Sequence, residues 1–229
     1  MTRAVLFDVG ETLIERPAVG PGRRIATALG LPDDAARLIT QLVFAHDFAS
    51  PAELAARLQR ELGLAHPPTA VVEEIWRAQE QEPREIPGAT ACVAAVRELG
   101  ARIGVVSNIW QPYETGFRRA CPAIAPLVEV WQLSYRAGRV KPAPGLFRAA
   151  LDALDVAPER AIMVGDSLEK DVLPAVALGM RAVWVRRGEG SGADGAVSAL
   201  PERSEVARDL DEARTLVVAA LQAALPSPA

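Results

Sequence analysis

Lysine is almost missing from this chain: of 25 lysines and arginines, only Lys141 and Lys170 are lysines. A compact ammonium can sit between two anionic oxygens where arginine's planar fork needs a different geometry, so the position of each lysine carries information. No block of basic residues stands out, and the formal net charge is -4. Phosphate-backbone binding needs a clustered positive face, so a general nucleic-acid binder is argued against and a small-molecule partner is favoured. Cysteine is equally scarce. Cys92 and Cys121 stand in no metal-ligand spacing, which leaves two ordinary thiols of a reducing compartment rather than a disulfide or a zinc site. Long apolar runs are lacking too. The stretch 216–225 is interrupted by Gln222, is far too short to span a bilayer, and reads as a terminal amphipathic helix. After Met1-Thr2-Arg3 the chain enters a strand pattern with no charged leader, apolar segment or small-residue cleavage site, so a cytoplasmic location is expected.

What remains is a chain of 229 residues, 50% hydrophobic and 24% charged, enough for one large or two modest domains around a sizeable core. Residues 3–8 read as a buried strand, and from 101 onward short apolar runs at 103–106, 128–133, 161–164 and 181–185 alternate with helical patterns. Such alternation predicts an α/β fold with a parallel sheet covered by helices. Between roughly 16 and 85 the strand signal vanishes and helical periodicity takes over. Ser50-Pro51-Ala52-Glu53 offers an N-cap, a proline for the first helical position and a Glu three residues on, ahead of Leu54, Leu58 and Leu62. Leu38, Ile39, Leu42 and Val43 make a second stripe, and Val71, Val72, Ile75 and Trp76 a third, so this segment can pack as a small bundle. Pro17, Gly20, Pro21 and Gly22 mark one crossing into it, and Pro83 with Pro87-Gly88 marks the return. The glycine-rich stretch 188–195 reads as a flexible patch, 204–207 as an edge strand, and a last helix is expected from about Asp211. There is no internal repeat or heptad array.

Chemistry-bearing residues follow the strand patterns in order. Asp8 ends the first run, Ser107-Asn108 ends the second, Lys141-Pro142 lies in a loop, and Asp166 with Asp171 follows the run at 161–164. Carboxyl ends of parallel strands form the crevice where ligands bind, so these distant groups are expected to meet. Each station alone has an ordinary structural explanation as a cap, a turn or a surface pair. Their joint order is what carries weight.

On these residues the chain resembles the haloacid dehalogenase-like hydrolase superfamily, and in particular its members with a helical cap inserted after the first strand. Val5-Leu6-Phe7-Asp8-x-x-x-Thr12-Leu13 is similar to its first motif, Val105-Val106-Ser107-Asn108 to its second, Lys141-Pro142 to its third, and Val164-Gly165-Asp166-Ser167 through Asp171 to its fourth. Pro87-Gly88 and Ala177-Leu178-Gly179-Met180 match the usual surroundings, so the likeness covers nearly the whole chain. It implies a Rossmann-like three-layer core with a central parallel sheet, residues 1–15 and 86–229, and an all-helical cap domain at 16–85. It also implies catalytic roles for Asp8, Thr12, Ser107, Asn108 and Lys141, with Asp8 as a nucleophile forming an aspartyl intermediate. Mg2+ would take oxygen from Asp8, from the Gly10 carbonyl and from Asp166, with Asp171 orienting a metal-bound water or ligand. The partner is then a small phosphorylated molecule, with no nucleic acid and no membrane, and the protein a monomer or homodimer.

One motif position departs from the pattern. Phosphatases of this family carry a second aspartate two places after the nucleophile and then usually a glycine, whereas this chain has Gly10 and Glu11. That aspartate is the general acid, and such assistance is typically worth about 10² to 10⁴ in rate, or roughly 3 to 5 kcal/mol of barrier. A phosphatase could take its acid from Glu11, Glu15, His46 or Asp47, or act on an acyl phosphate whose leaving group needs no proton. A haloacid dehalogenase proper lacks the second aspartate as well, but usually has Ser and Asn where Asp166 stands. Phosphonate-cleaving relatives use a cap lysine, and residues 16–85 contain none. A non-catalytic relative retaining the pocket as a sensor would have little need of Asp8, Thr12, Ser107, Lys141, Asp166 and Asp171 together. The expectation is a Mg2+-dependent phosphatase. Arg16, Arg23, Arg24, His46 and Trp76 are candidate substrate contacts in the cap.

Overall fold

The computed structural model describes residues 3–15, 17–187 and 200–223. Arg16 and the glycine-rich stretch 188–195 lie outside the described residues, as do residues 224–225 of the apolar stretch near the end. Six strands form one sheet: β1 (Ala4–Phe7), β2 (Arg102–Ser107), β3 (Val130–Leu133), β4 (Ala161–Gly165), β5 (Arg181–Val185) and β6 (Ser204–Ala207). Their order is β3-β2-β1-β4-β5-β6, and every neighbouring pair is parallel. The chain leaves β1 for β2 on one side and later returns to β4 on the other, so the direction of winding reverses at β1. A crevice opens at such a reversal, outside the carboxyl ends of the strands.

Period-two alternation sends the strand residues to two cores. Val5, Phe7, Ile103, Val105, Ile162 and Val164 pack on one face, against α5 (Ala89–Glu98), α6 (Gln111–Ala120) and α10 (Leu210–Ala223). Ala4, Leu6, Val106, Ala161 and Met163 pack on the other, against α8 (Pro144–Ala153) and α9 (Leu173–Ala177). All four residues of β1 are fully buried, which suits a central strand covered on both faces. This is the three-layer α/β arrangement expected from the alternating pattern. Cys92 and Cys121 are free and buried, and burial pushes both thiols up to about 12. Among the described residues no helix is long and apolar enough to cross a membrane.

Between β1 and α5 stand four helices, α1 (Pro21–Ala28), α2 (Asp33–Ala45), α3 (Pro51–Leu62) and α4 (Thr69–Gln81). The start of α3 follows the sequence signature: the Ser50 hydroxyl accepts from the Glu53 N–H (3.2 Å), the Glu53 carboxylate accepts from the Ala49 N–H (2.8 Å), and Pro51 opens the first turn. Gly63 ends it in the left-handed region at φ 62°. Helix α1 begins at Pro21-Gly22, where the sequence suggested only a crossing; a side chain at Gly22 would meet Thr40 and the Ala36 carbonyl, so glycine is what lets α1 lie against α2. Leu38 is 39% exposed, and the buried stripe of α2 is Ala36, Ile39, Leu42 and Val43, one residue off the expected set. Strand β3 starts at Val130 rather than 128, because residues 125–127 form a short 3-10 turn that draws in the Val128 N–H (3.4 Å to Ala125 O).

The two connections between these helices and the sheet are paired. Ile14 bridges Glu85, the Glu15 N–H donates to the Arg84 carbonyl (2.9 Å), and the Ile86 N–H donates to the Leu13 carbonyl (3.0 Å). Helix α4 is also held to α6. A methyl at Gly116 would stand 2.6 Å from the Gln79 carbonyl, the Trp110 indole N–H donates to Gln79 Oε1 (3.1 Å), and the Trp76 and Trp110 rings meet edge to face at 5.4 Å.

Candidate active site

Phe7 is level with Val164 in the sheet, and the Asp8 N–H donates to the Val164 carbonyl (2.9 Å), so Asp8 leaves β1 beside Gly165 and Asp166 at the end of β4. Past Ser167 the chain makes one wide turn, residues 168–172, in which the Asp171 N–H returns to the Ser167 carbonyl (2.9 Å) and the Ser167 hydroxyl accepts from the Lys170 N–H (3.2 Å). That turn folds the Asp171 side chain back toward β4. One of its oxygens accepts from the Ser167 N–H (3.0 Å), and it is fully buried.

Lys141 arrives from the other side, after α7 (Ser134–Ala137) and the left-handed Gly138 (φ 64°). Its main chain is gripped by Asn108: the Lys141 N–H donates to Asn108 Oδ1 (2.7 Å), and Asn108 Nδ2 donates to the Lys141 carbonyl (3.1 Å). The loop after β2 thereby fixes the loop that carries the lysine. The ammonium, 2% exposed, donates to Oδ1 of Asp8 (2.7 Å) and Oδ1 of Asp171 (2.6 Å). Burial alone would push its pKa down, but the two carboxylates outweigh burial and hold it above the ordinary lysine value. It stays charged.

Asp166 is partly buried, with its main-chain carbonyl tied to the Trp184 indole N–H (2.8 Å). Burial, the charges of Asp8 and Asp171, and a hydrogen bond with Asp8 push its carboxyl up to about 7, against the opposing pull of Lys141. Asp171 is pushed up to about 6, mainly by burial and by Asp8, again opposed by Lys141. Asp8, Asp166 and Asp171 each offer a carboxylate oxygen within 4.8 Å of the others. Three carboxylates face one ammonium. Their surplus negative charge in a dehydrated place, and a donor set made wholly of hard oxygens, fit a divalent cation of the Mg2+ type.

A cavity of about 880 Å³ lies over this cluster. Asp8, Gly10, Ser107, Asn108, Lys141, Asp166 and Asp171 line it, as do Val140, Trp184 and, from α2, Thr40, Gln41 and Phe44. Thr12 does not line it; it is fully buried, and its hydroxyl has no hydrogen-bond partner among the described residues. None of the alternative acids lines the cavity. Glu11 sits in the left-handed region at φ 60° and pairs with Arg187 (3.6 Å), while Glu15, His46 and Asp47 lie elsewhere. Of the candidate substrate contacts, Arg23 pairs with Asp33 (3.8 Å), Arg24 with Glu82 (2.6 Å), and the Trp76 indole N–H donates to Glu80 (3.1 Å), all away from the cavity. Sequence reasoning missed Thr40, Gln41 and Phe44. They fall beside the buried Ile39-Leu42-Val43 stripe of α2, a flank that periodicity identifies but cannot aim.

The family model described as "HAD-hyrolase-like" matches residues 139–213. The glyceraldehyde 3-phosphate phosphatase of Pyrococcus abyssi is 29% identical over 206 residues, covering 82% of this chain and 83% of that protein. The phosphoserine phosphatase of Thermus thermophilus is 37% identical over 118 residues, covering 52% of this chain and 47% of that protein. The structure of a 2-haloacid dehalogenase from Pseudomonas syringae pv. Tomato DC3000 superposes with a TM-score of 0.65 at 20% identity, covering 96% of this chain and 99% of that one. At that identity the likeness is one of fold.

Proposed function

The chain belongs to the haloacid dehalogenase-like hydrolase superfamily, and from that premise we propose that it is a metal-dependent phosphatase acting on a small phosphorylated molecule through Asp8. The fold is common to phosphatases and dehalogenases, so the choice rests on the cluster. The carrying observation is that Asp166 completes, with Asp8 and Asp171, a set of three carboxylates within 4.8 Å around a single ammonium. A carbon–halogen bond needs no such surplus of charge near its nucleophile. A phosphate dianion does, because the divalent cation that the surplus recruits offsets its repulsion from the attacking carboxylate. The named phosphatases among the relatives support the same choice.

In this reading Asp8, the Gly10 carbonyl and Asp166 would hold Mg2+, with Asp171 orienting a ligand, and the ion would supply charge that polarises the phosphoryl group. Asp8 forms a bond to phosphorus as the bond to the leaving oxygen breaks. Lys141 orients Asp8 through Oδ1 and adds a second positive charge at the phosphoryl group. The Ser107 hydroxyl, at the cavity wall, donates to a phosphate oxygen. Asn108 spends both ends of its amide on the Lys141 main chain and so positions the lysine. Water then cleaves the aspartyl-phosphate. With Gly10 in the acid's place and none of Glu11, Glu15, His46 and Asp47 on the described wall, both steps run without the usual aspartate relay. The four helices of residues 16–85 serve as a cap on the core of residues 1–15 and 86–229, α2 closing the cavity above the cluster.

The test is a paired assay. Phosphate release from p-nitrophenyl phosphate and from an acyl phosphate is measured with Mg2+ and with EDTA, beside chloride release from 2-chloropropionate without metal. Mg2+-dependent phosphate release that Asp166→Asn removes is the expected result; chloride release indifferent to EDTA would make the protein a dehalogenase instead.

A further inference from the structure

Resting on the phosphatase reading, we infer that the substrate carries one phosphate on an uncharged, hydroxylated body, and that Gln41 is the residue that reads that body. The outer wall of the cavity is the ground for this. At the inner end, Lys141 is held by Asp8 and Asp171, where a phosphoryl group belongs. The outer end is closed by α2 with Thr40, Gln41 and Phe44, which offer a hydroxyl, an amide and a ring and no charge of either sign. Arg23 pairs with Asp33, Arg24 with Glu82 and Arg57 with Glu61 (2.6 Å), and no arginine lines the cavity among the described residues.

Apart from Lys141, the only cation lining the cavity among the described residues is Lys170, and Glu169 stands next to it on the same rim. A second phosphate or a carboxylate on the substrate would face four acidic side chains, Asp8, Asp166, Asp171 and Glu169, with exposed Lys170 the one cation left to it. An ammonium on the substrate would find no carboxylate among the cavity-lining residues of α2. The exposed amide of Gln41 both donates and accepts, which suits a hydroxyl or carbonyl group, while Phe44 and the 38% exposed Val140 cover the carbon skeleton.

Three small phosphate monoesters separate the possibilities: glycerol 3-phosphate, 3-phosphoglycerate, which has a carboxylate in place of the terminal hydroxymethyl, and the shorter phosphoethanolamine, which carries an ammonium. With Mg2+ present, kcat/KM for glycerol 3-phosphate is expected to exceed both others by about tenfold or more, the scale of one missing hydrogen-bonded charge partner. Gln41→Arg should move the ratio of glycerol 3-phosphate to 3-phosphoglycerate toward the carboxylate, and Gln41→Glu should move it the other way. Because Gln41 is exposed, both variants are expected to fold. Equal rates, a preference for either charged probe, or a ratio indifferent to both substitutions would overturn the inference while leaving a phosphatase in place. Silence on all three probes and on p-nitrophenyl phosphate and acetyl phosphate would overturn the phosphatase reading and this inference with it.

Discussion

The carboxylate of Asp171 lies so close to Gly165 that a methyl group on that glycine would stand 2.5 Å from Asp171 Cγ. Gly165 ends β4, so glycine is needed here for the room it leaves to a neighbour rather than for an unusual backbone angle. Gly165→Ala must push Asp171 aside, which breaks its contacts to Lys141 and to the Ser167 N–H. The variant is expected to lose about 1 to 3 kcal/mol of stability in urea unfolding, the range for overpacking a filled site, together with most of its Mg2+-dependent activity. Wild-type stability in this variant would mean that the wide turn at 168–172 gives way at no cost.

Lys141 is a lone buried cation between two carboxylates, so its removal leaves Asp8, Asp166 and Asp171 facing one another without compensation. Lys141→Met is expected to destabilise the metal-free protein by about 3 to 5 kcal/mol at neutral pH, the range for breaking a buried ion pair from one side. Added Mg2+ should recover part of that stability but not the activity, since the charge beside Asp8 is restored and the hydrogen bond to Oδ1 is not. Thermal unfolding with and without Mg2+, read beside phosphate release, checks both halves.

Asp166, pushed up to about 7, and Asp171, pushed up to about 6, make the metal-free protein sensitive to pH in a defined direction. A carboxyl raised in the folded state binds protons more tightly folded than unfolded, so its contribution is fully present below about pH 4 and is lost as pH rises through about 7. The metal-free protein is therefore expected to lose stability from this cluster between pH 4 and 7. Mg2+ binds the ionised form, so its gain in Tm should be larger at pH 8 than at pH 5, with protons released on binding near pH 6.5. A Tm gain that is the same at both pH values would mean that the ion binds elsewhere.

How much of this could be read in advance differs between the sheet and its surroundings. Strand ends were legible, because buried apolar runs followed by a polar residue locate the mouth of a parallel sheet; hence Asp8, Ser107 and Asp166 fall around one cavity, which Lys141 joins from a loop. The job of Asn108 was not legible. Nothing in Ser107-Asn108 says that the amide turns away from the ligand to clasp the main chain of Lys141, since that depends on the path of a loop 33 positions further along the chain. Periodicity found the packed face of α2 to within one residue and left open which of its other residues, Leu38 or Thr40, Gln41 and Phe44, would meet the cavity. Glu11 shows the same limit from the other side. Its left-handed backbone, where the family usually has glycine, is a local cost of about 1 kcal/mol that the sequence reveals only as an exchanged Gly10-Glu11 pair.

That exchange gives the most decisive test. A Cβ built on Gly10 meets nothing nearer than Tyr113 Cε1 at 4.0 Å, an ordinary contact, and Tyr113 is anchored by its hydroxyl to the Glu15 carbonyl (2.7 Å). Gly10 lines the cavity and has room for a Cβ, so Gly10→Asp is expected to be accommodated with its carboxyl at the cavity wall. If the absent acid limits both formation and breakdown of the aspartyl-phosphate, the variant should hydrolyse an alkyl phosphate such as glycerol 3-phosphate about 10²-fold faster, within the range that general acid–base help supplies. On p-nitrophenyl phosphate, whose leaving group departs without a proton, the difference lies in breakdown. The wild-type protein is expected to give a burst of p-nitrophenolate matching the amount of enzyme, with phospho-Asp8 detectable by mass spectrometry, and Gly10→Asp to give a linear, faster course without a burst. A folded Gly10→Asp protein no faster than wild type on either substrate would mean that proton transfer is already supplied by another group.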